Sequence, residues 1–347
     1  MKTIRILMFI VVGMSVFEVE GTTSRPIASC KNSKEKGYLV ANCHGDQGQK
    51  LESIPGNIMP EVQLLKLQDN RISKLTNNSF VIYPKIKELL LSDNVVHTIE
   101  SSALTVLDEL ELLDLSGNAL QEAPVGLPAS LIHLNLNKNP VKHMERLSRA
   151  VGLQVLKLSN CDLAQYPALG VMPNLVELDV SNNELMDDLD PAKLAATCRL
   201  TRLDVTGCTA LFQLPESRCR CLRVVEWTHT YKIRVVGMPP CPAADDGGGD
   251  DADNCTATSA MDDEARAVFK NCMVEWEHRN TPYWAIGLGL VIALVVLLSL
   301  CVCLRRRNRR RHTDKVQSVP APDTKETIDP TTTGNNKSEP AALLSSP

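Results

Sequence analysis

Histidine is scarce in this chain, seven among 347 residues, and the seven are scattered. No nucleophile, base and orienting group can be assembled from their spacing. A glycine-rich phosphate loop is missing, and so is any zinc-ligand spacing. The chain is therefore expected to be no enzyme and to hold neither cofactor nor metal. A large excess of one charge is lacking too, with 37 basic and 41 acidic residues and a net charge of −4. The imbalance sits at two places: residues 305–347 carry nine basic and five acidic side chains, and residues 243–264 carry eight acidic and no basic ones. The body of the chain is close to neutral, so steering of a nucleic acid partner is not expected. The acidic run AADDGGGDDADN, ending at Asn254, lacks the spaced ligands and closing Glu of a calcium loop. Its glycines mark it as a solvated linker.

What the sequence does have is a repeated frame. Residues 110–120 read LELLDLSGNAL, with Leu110, Leu113 and Leu115 ahead of Asn118. The same L-x-x-L-x-L frame places Leu65, Leu89, Leu113, Leu134, Leu156, Leu178 and Leu203 at its second apolar position. Asn70, Asn94, Asn118, Asn139, Cys161, Asn183 and Cys208 follow, separated by 24, 24, 21, 22, 22 and 25 residues. These intervals lie in the roughly 20–29-residue window of leucine-rich repeats. The alternation predicts one short strand per repeat with one face inward, and stacked strands give a parallel sheet. An inward asparagine can bond backbone groups that the turn leaves open; without partners it would cost roughly 1–3 kcal/mol. Amphipathic helices would need a 3.6-residue period and leave the Asn/Cys column unexplained. The fold expected is a solenoid of about seven leucine-rich repeats, a parallel β-sheet horseshoe over 62–215.

The ends are of another kind. Residues 1–21, with Lys2 and Arg5 ahead of an apolar run, read as a secretory signal peptide. Residues 284–304 are 21 residues without a charge, about 30 Å of helix, enough for a bilayer core. Six arginines between Arg305 and Arg311 follow, which by the positive-inside rule puts that end in the cytoplasm. A single-pass plasma-membrane protein with an extracellular N-terminus is expected: N-terminal cap over 22–61, C-terminal cap over 216–242, acidic stalk over 243–283, span over 284–304 and a tail over 305–347 too short for a kinase or Toll-type domain. Such a compartment is oxidising. Setting aside Cys161 and Cys208 leaves Cys30, Cys43, Cys198, Cys219, Cys221, Cys241, Cys255 and Cys272 for disulfides. Cys30 with Cys43 is the pairing preferred, and the other six are left to pair among themselves around residues 198–272.

The repeats, the cysteine-bearing ends and the single span together resemble the extracellular leucine-rich-repeat family in its membrane-anchored form, over roughly residues 30–241. Cys43 followed by LESIPGNIMPEV fits an N-terminal cap and half repeat, and Cys219, Cys221, Leu222, Val225 and Trp227, with Cys241-Pro242 beyond, echo a C-terminal cap. The chain departs from the family in having two N-terminal cap cysteines instead of four, and a Trp closer to the C-x-C. The resemblance implies recognition of a protein, on the concave sheet.

By register, the outward positions there are Leu64, Glu88, Leu112, His133, Val155, Glu177 and Arg202, and beside them Lys66, Leu90, Asp114, Asn135, Lys157, Asp179 and Asp204. Leu64, Leu90 and Leu112, rimmed by Lys66, Glu88 and Asp114 with His133 beyond, form the expected binding patch. Asn77 and Asn254 head glycosylation sequons. Ala285, Gly289 and Ala293 put small side chains on one helix face, which suits self-association. Cys301 and Cys303 are palmitoylation candidates, and Glu339 with Leu343 and Leu344 matches an acidic dileucine sorting signal. The function expected is cell-surface recognition or adhesion, with a protein partner in cis or trans. The alternative is a co-receptor or trafficking partner of a larger, Toll-type receptor, acting through span and tail.

Overall fold

The computed structural model describes residues 30–43, 50–184, 189–243, 255, 259–280 and 283–316. The signal peptide over 1–21, Asn254, Glu339, Leu343 and Leu344 lie outside them. Among the described residues, the strands in chain order are β1 (Lys31–Glu35), β2 (Tyr38–Asn42), β3 (Leu64–Lys66), β4 (Lys74–Leu75), β5 (Glu88–Leu90), β6 (Thr98–Ile99), β7 (Leu112–Asp114), β8 (His133–Asn135), β9 (Val155–Lys157), β10 (Glu177–Asp179), β11 (Arg202–Asp204) and β12 (Arg234–Val236). The helices are α1 (Pro191–Ala195), α2 (Arg218–Thr230), α3 (Ser259–Asn280) and α4 (Tyr283–Val316).

Ten strands form one sheet in the order β1-β2-β3-β5-β7-β8-β9-β10-β11-β12. It is parallel from β2 onward, and Leu65, Leu89, Leu113, Leu134, Leu156, Leu178 and Leu203 stand in one register column. Each repeat contributes one three-residue strand, and the chain is a leucine-rich-repeat solenoid. That column and its flanking apolar positions are buried as a continuous core, each such side chain contributing about 1.5–3 kcal/mol. β1 and β2 form an antiparallel hairpin at the N-terminal end. Its two-residue loop is Lys36 (φ 49°) and Gly37 (φ 91°), the pair of positive φ values that matches strand twist.

The residue ahead of each ladder position is left-handed: Asp69, Asp93, Gly117, Lys138, Asn160, Asn182 and Gly207 have φ between 53° and 75°. Six of these seven are Asp, Asn or Gly, the residues that tolerate this conformation best. It turns the ladder residue inward. Asn94 Nδ2 donates to the carbonyls of Leu67, Leu91 and Ser92 at 2.9–3.2 Å, and its Oδ1 accepts from Ile72 N at 3.0 Å. Asn70, Asn118 and Asn139 repeat this set. Cys161 keeps the donor function, Sγ to Leu136 O at 3.3 Å, but has no amide oxygen. The N–H that an asparagine there would serve, Val141 N, turns to Asn139 O at 2.8 Å instead.

Four disulfides are formed among the described residues: Cys30–Cys43, Cys198–Cys272, Cys219–Cys255 and Cys221–Cys241. Cys198–Cys272 changes the view of the segment expected to be a stalk. Residues 259–280, which composition assigns to the acidic stalk, are the helix α3, packed against α1 and tied to Cys198 through Cys272. Ala265 and Cys272 are buried, Val268 and Phe269 partly so. That 3.6-residue stripe gives α3 an apolar face to bury, whereas the acidic and glycine residues that suggested a linker end at residue 254.

Residues 281–347 make up a separate unit, described as α4. Its segment Gly287–Arg307 is, among the described residues, the one helix long and apolar enough to cross a membrane.

Candidate functional site: the concave sheet face

Strand register puts two rows of side chains on the face opposite the core column. One runs Val40, Leu64, Glu88, Leu112, His133, Val155, Glu177, Arg202, Arg234, and the other Asn42, Lys66, Leu90, Asp114, Asn135, Lys157, Asp179, Asp204, Val236. The expected patch moves along this surface. Leu64 is only 7% exposed, because β2 extends the sheet past it and sets Val40, wholly buried, beside it. Leu64 is therefore closed in at the N-terminal end of the concave face and is not part of an exposed patch. Leu90, Leu112 and Val155 are half-buried and His133 is exposed. Leu112, His133 and Val155 are neighbours on successive strands, with Leu90 one position along from Leu112. Val155 stands in the same register row, outside the leucine cluster of the first three repeats.

The charged positions are not equally available. Lys66 Nζ donates to Glu35 Oε2 of β1 at 2.8 Å, and this ammonium holds the Glu35 carboxyl below its ordinary value. Arg202 lies 3.5 Å from Glu177 and 3.0 Å from Asp204. In the second row, Asp114, Asn135, Asp179 and Asp204 each accept from the backbone N–H two residues on, at 2.9–3.1 Å. This local turn closes the end of each strand. Asp114 also accepts from Ser116 Oγ at 2.6 Å, so it is first a backbone fastener. Further along, Ser159 and Ser181 are buried and bonded to each other at 2.9 Å. The centre of the face thus offers an apolar group with an exposed imidazole, bordered by Glu88 and Lys157.

The remaining candidates lie elsewhere. Asn77 is exposed; its Oδ1 accepts from Ser102 N at 2.9 Å, a bond that a glycan on Nδ2 leaves intact. Cys301, Cys303 and Gly289 are on α4, exposed, and the side chain of Ala285 lies outside the described set. Among the described residues no group of three His, Cys, Asp or Glu is placed to hold a metal ion.

Comparison with known proteins agrees with the repeat architecture. A family model described as leucine rich repeat matches residues 60–120. Lumican of Rattus norvegicus is 33% identical over 133 residues, covering 35% of this chain and 36% of its own length. Lumican of Mus musculus is 40% identical over 73 residues, 20% of this chain and 22% of its own length. Lumican of Oryctolagus cuniculus is 42% identical over 73 residues, 20% of this chain and 38% of its own length. The chain therefore spans between 22% and 38% of the length of these curated relatives.

Proposed function

We propose that this chain is a non-enzymatic cell-surface recognition protein that binds a protein partner, in cis or trans, through the centre of its concave sheet. The observation that carries the reading is the group Leu90, Leu112, His133 and Val155, half-buried or exposed on a sheet whose backbone is bonded repeat to repeat. Apolar side chains that a rigid framework leaves partly open and rims with charge form a docking centre at little entropic cost. The match to leucine-rich repeats supports a binding role of this kind. Anchoring is supported by α4, whose apolar segment ends at Arg305, Arg306 and Arg307; by the positive-inside rule the solenoid is then outside the cell.

The test is a cell-aggregation assay on the full-length protein. Labelled expressing cells should form contacts, with each other if the partner is a second copy or with partner-bearing cells if it is not. The variant L90E/L112E/V155E should lose those contacts by at least about tenfold, the equivalent of ~1.4 kcal/mol, with unchanged surface level and thermal unfolding. Contacts that survive the triple substitution would remove the concave face from consideration.

A further inference from the structure

The docking centre of the concave face is not balanced in charge. Strand register sets Glu88 and Leu90 of β5 beside Leu112 and Asp114 of β7, in that order, so the four side chains stand at the corners of a rectangle. Neighbouring corners are roughly 5 Å apart between strands and 7 Å apart along one. Leu90 and Leu112 hold one diagonal, Glu88 and Asp114 the other. All four are half-buried. A purely apolar partner would strip water from the two carboxylates and return no hydrogen bond, which disfavours it.

The chain's own cations do not neutralise this pair. Among the described residues neither Glu88 nor Asp114 has an ion pair. Lys66, beside Leu90 in register, donates to Glu35 at 2.8 Å, and Lys87 lies 3.9 Å from Glu109. Lys157 stands two strands away from Asp114. Asp114 takes both Ser116 N and Ser116 Oγ on one oxygen, Oδ1, and Oδ2 keeps its capacity to accept. The side chain that matches such a rectangle is long, apolar along its stem and cationic at its tip. Arginine has methylenes to cover leucine and a planar guanidinium whose fork binds carboxylate oxygens.

We propose that the partner of the concave face is basic: a protein segment that lays an arginine across this rectangle, its stem over Leu90 and Leu112 and its guanidinium between Glu88 and Asp114. The inference rests on the concave-face reading and can fail while that reading stands. The experiment uses the full-length protein in phosphatidylcholine nanodiscs, whose zwitterionic headgroups do not collect cationic peptides. The probes are two fluorescent peptides followed by anisotropy, one of alternating leucine and arginine and one with uncharged, isosteric citrulline in place of arginine. The arginine peptide should reach half-saturation at about tenfold lower concentration than the citrulline peptide, and E88Q/D114N should raise that concentration about tenfold. The same variant should leave the citrulline peptide unchanged. Neither substitution threatens the fold: the Glu88 side chain has no bond among the described residues, and Asn135 fastens the next strand as Asp114 does, accepting from Asn137 N at 3.1 Å. D250N/D251N, in the acidic run beyond the solenoid, should change neither peptide. Equal affinity for the two peptides, an affinity that follows Asp250 and Asp251, or indifference to E88Q/D114N would overturn the proposal. An arginine-peptide affinity that falls as protein concentration rises would overturn it too, as the mark of a second copy covering the face. Should the two peptides bind equally and L90A/L112A release both, the docking centre stands and only its basic preference falls. Should neither bind, the proposal falls and the aggregation assay alone judges the docking centre.

Discussion

At the scale of single residues, the inward asparagine is the repeat's most demanding position. Asn139 is 1% exposed and makes three donor bonds and one acceptor bond, to Leu115 O, Leu136 O, Asn137 O and Leu120 N. Asn139→Ala takes this partner from Leu115 O and Leu120 N, while Leu136 O keeps Cys161 Sγ and Asn137 O keeps Gly117 N, at a cost of about 2–3 kcal/mol. Thermal unfolding followed by circular dichroism should fall by roughly 5–10 °C, and a shift within error would mean that the ladder is not structural. Cys161 occupies the same column as a thiol, and burial pushes its pKa up to about 11. An unfolded thiol ionises near 8.5, about two to three units lower, so above that pH the unfolded chain gives up its proton first. The stability this thiol contributes is complete below about pH 8.5 and is lost as pH rises toward 11. Native protein at pH 8 should leave Cys161 unlabelled by a maleimide, with labelling in urea; Cys208, raised by burial as well, should behave alike. Rapid native labelling would contradict the burial. The ladder was legible because a buried polar residue that recurs leaves a column in the sequence. The surroundings of Leu64 were not legible, since its burial comes from Val40, 24 positions away in the chain but adjacent in register.

At the scale of elements, the two ends of the sheet are closed by different means. β1 and β2 extend the sheet at one end; at the other, α2 is stapled to Cys241 and Cys255 further along the chain, and α3 is tied to Cys198 beside α1. The bond Cys198–Cys272 spans 74 residues and ties α3 to the chain that follows α1. Replacing both cysteines by serine should lower stability by about 2–5 kcal/mol. Limited proteolysis before and after the change should show α3 becoming the first site cut; an unchanged digestion pattern would mean that packing on α1 suffices. The apolar stripe of α3 was present in the sequence as Ala265, Val268, Phe269 and Cys272. Neighbouring acidic residues outweighed it because composition averages over a window, whereas a helix buries only one face.

At the scale of the whole molecule, repeat, cap and apolar helix follow one another along the chain, and the charge distribution bears on its orientation. If the arginine-rich end lies in the cytoplasm, trypsin added to intact expressing cells should leave the segment after Arg305 uncut until the membrane is permeabilised. Cleavage there on intact cells would reverse the proposed topology.

The sequence by itself determined the solenoid, because burying leucines on one face of a short strand requires a fixed spacing that survives in the linear order. It also determined the turn chemistry, through the Asp, Asn and Gly residues at the left-handed positions. Only the tertiary structure decided which concave side chains stay open and how the six C-terminal cysteines join. Those properties depend on neighbours brought together from distant repeats and caps, and distance through space has no fixed period along the chain.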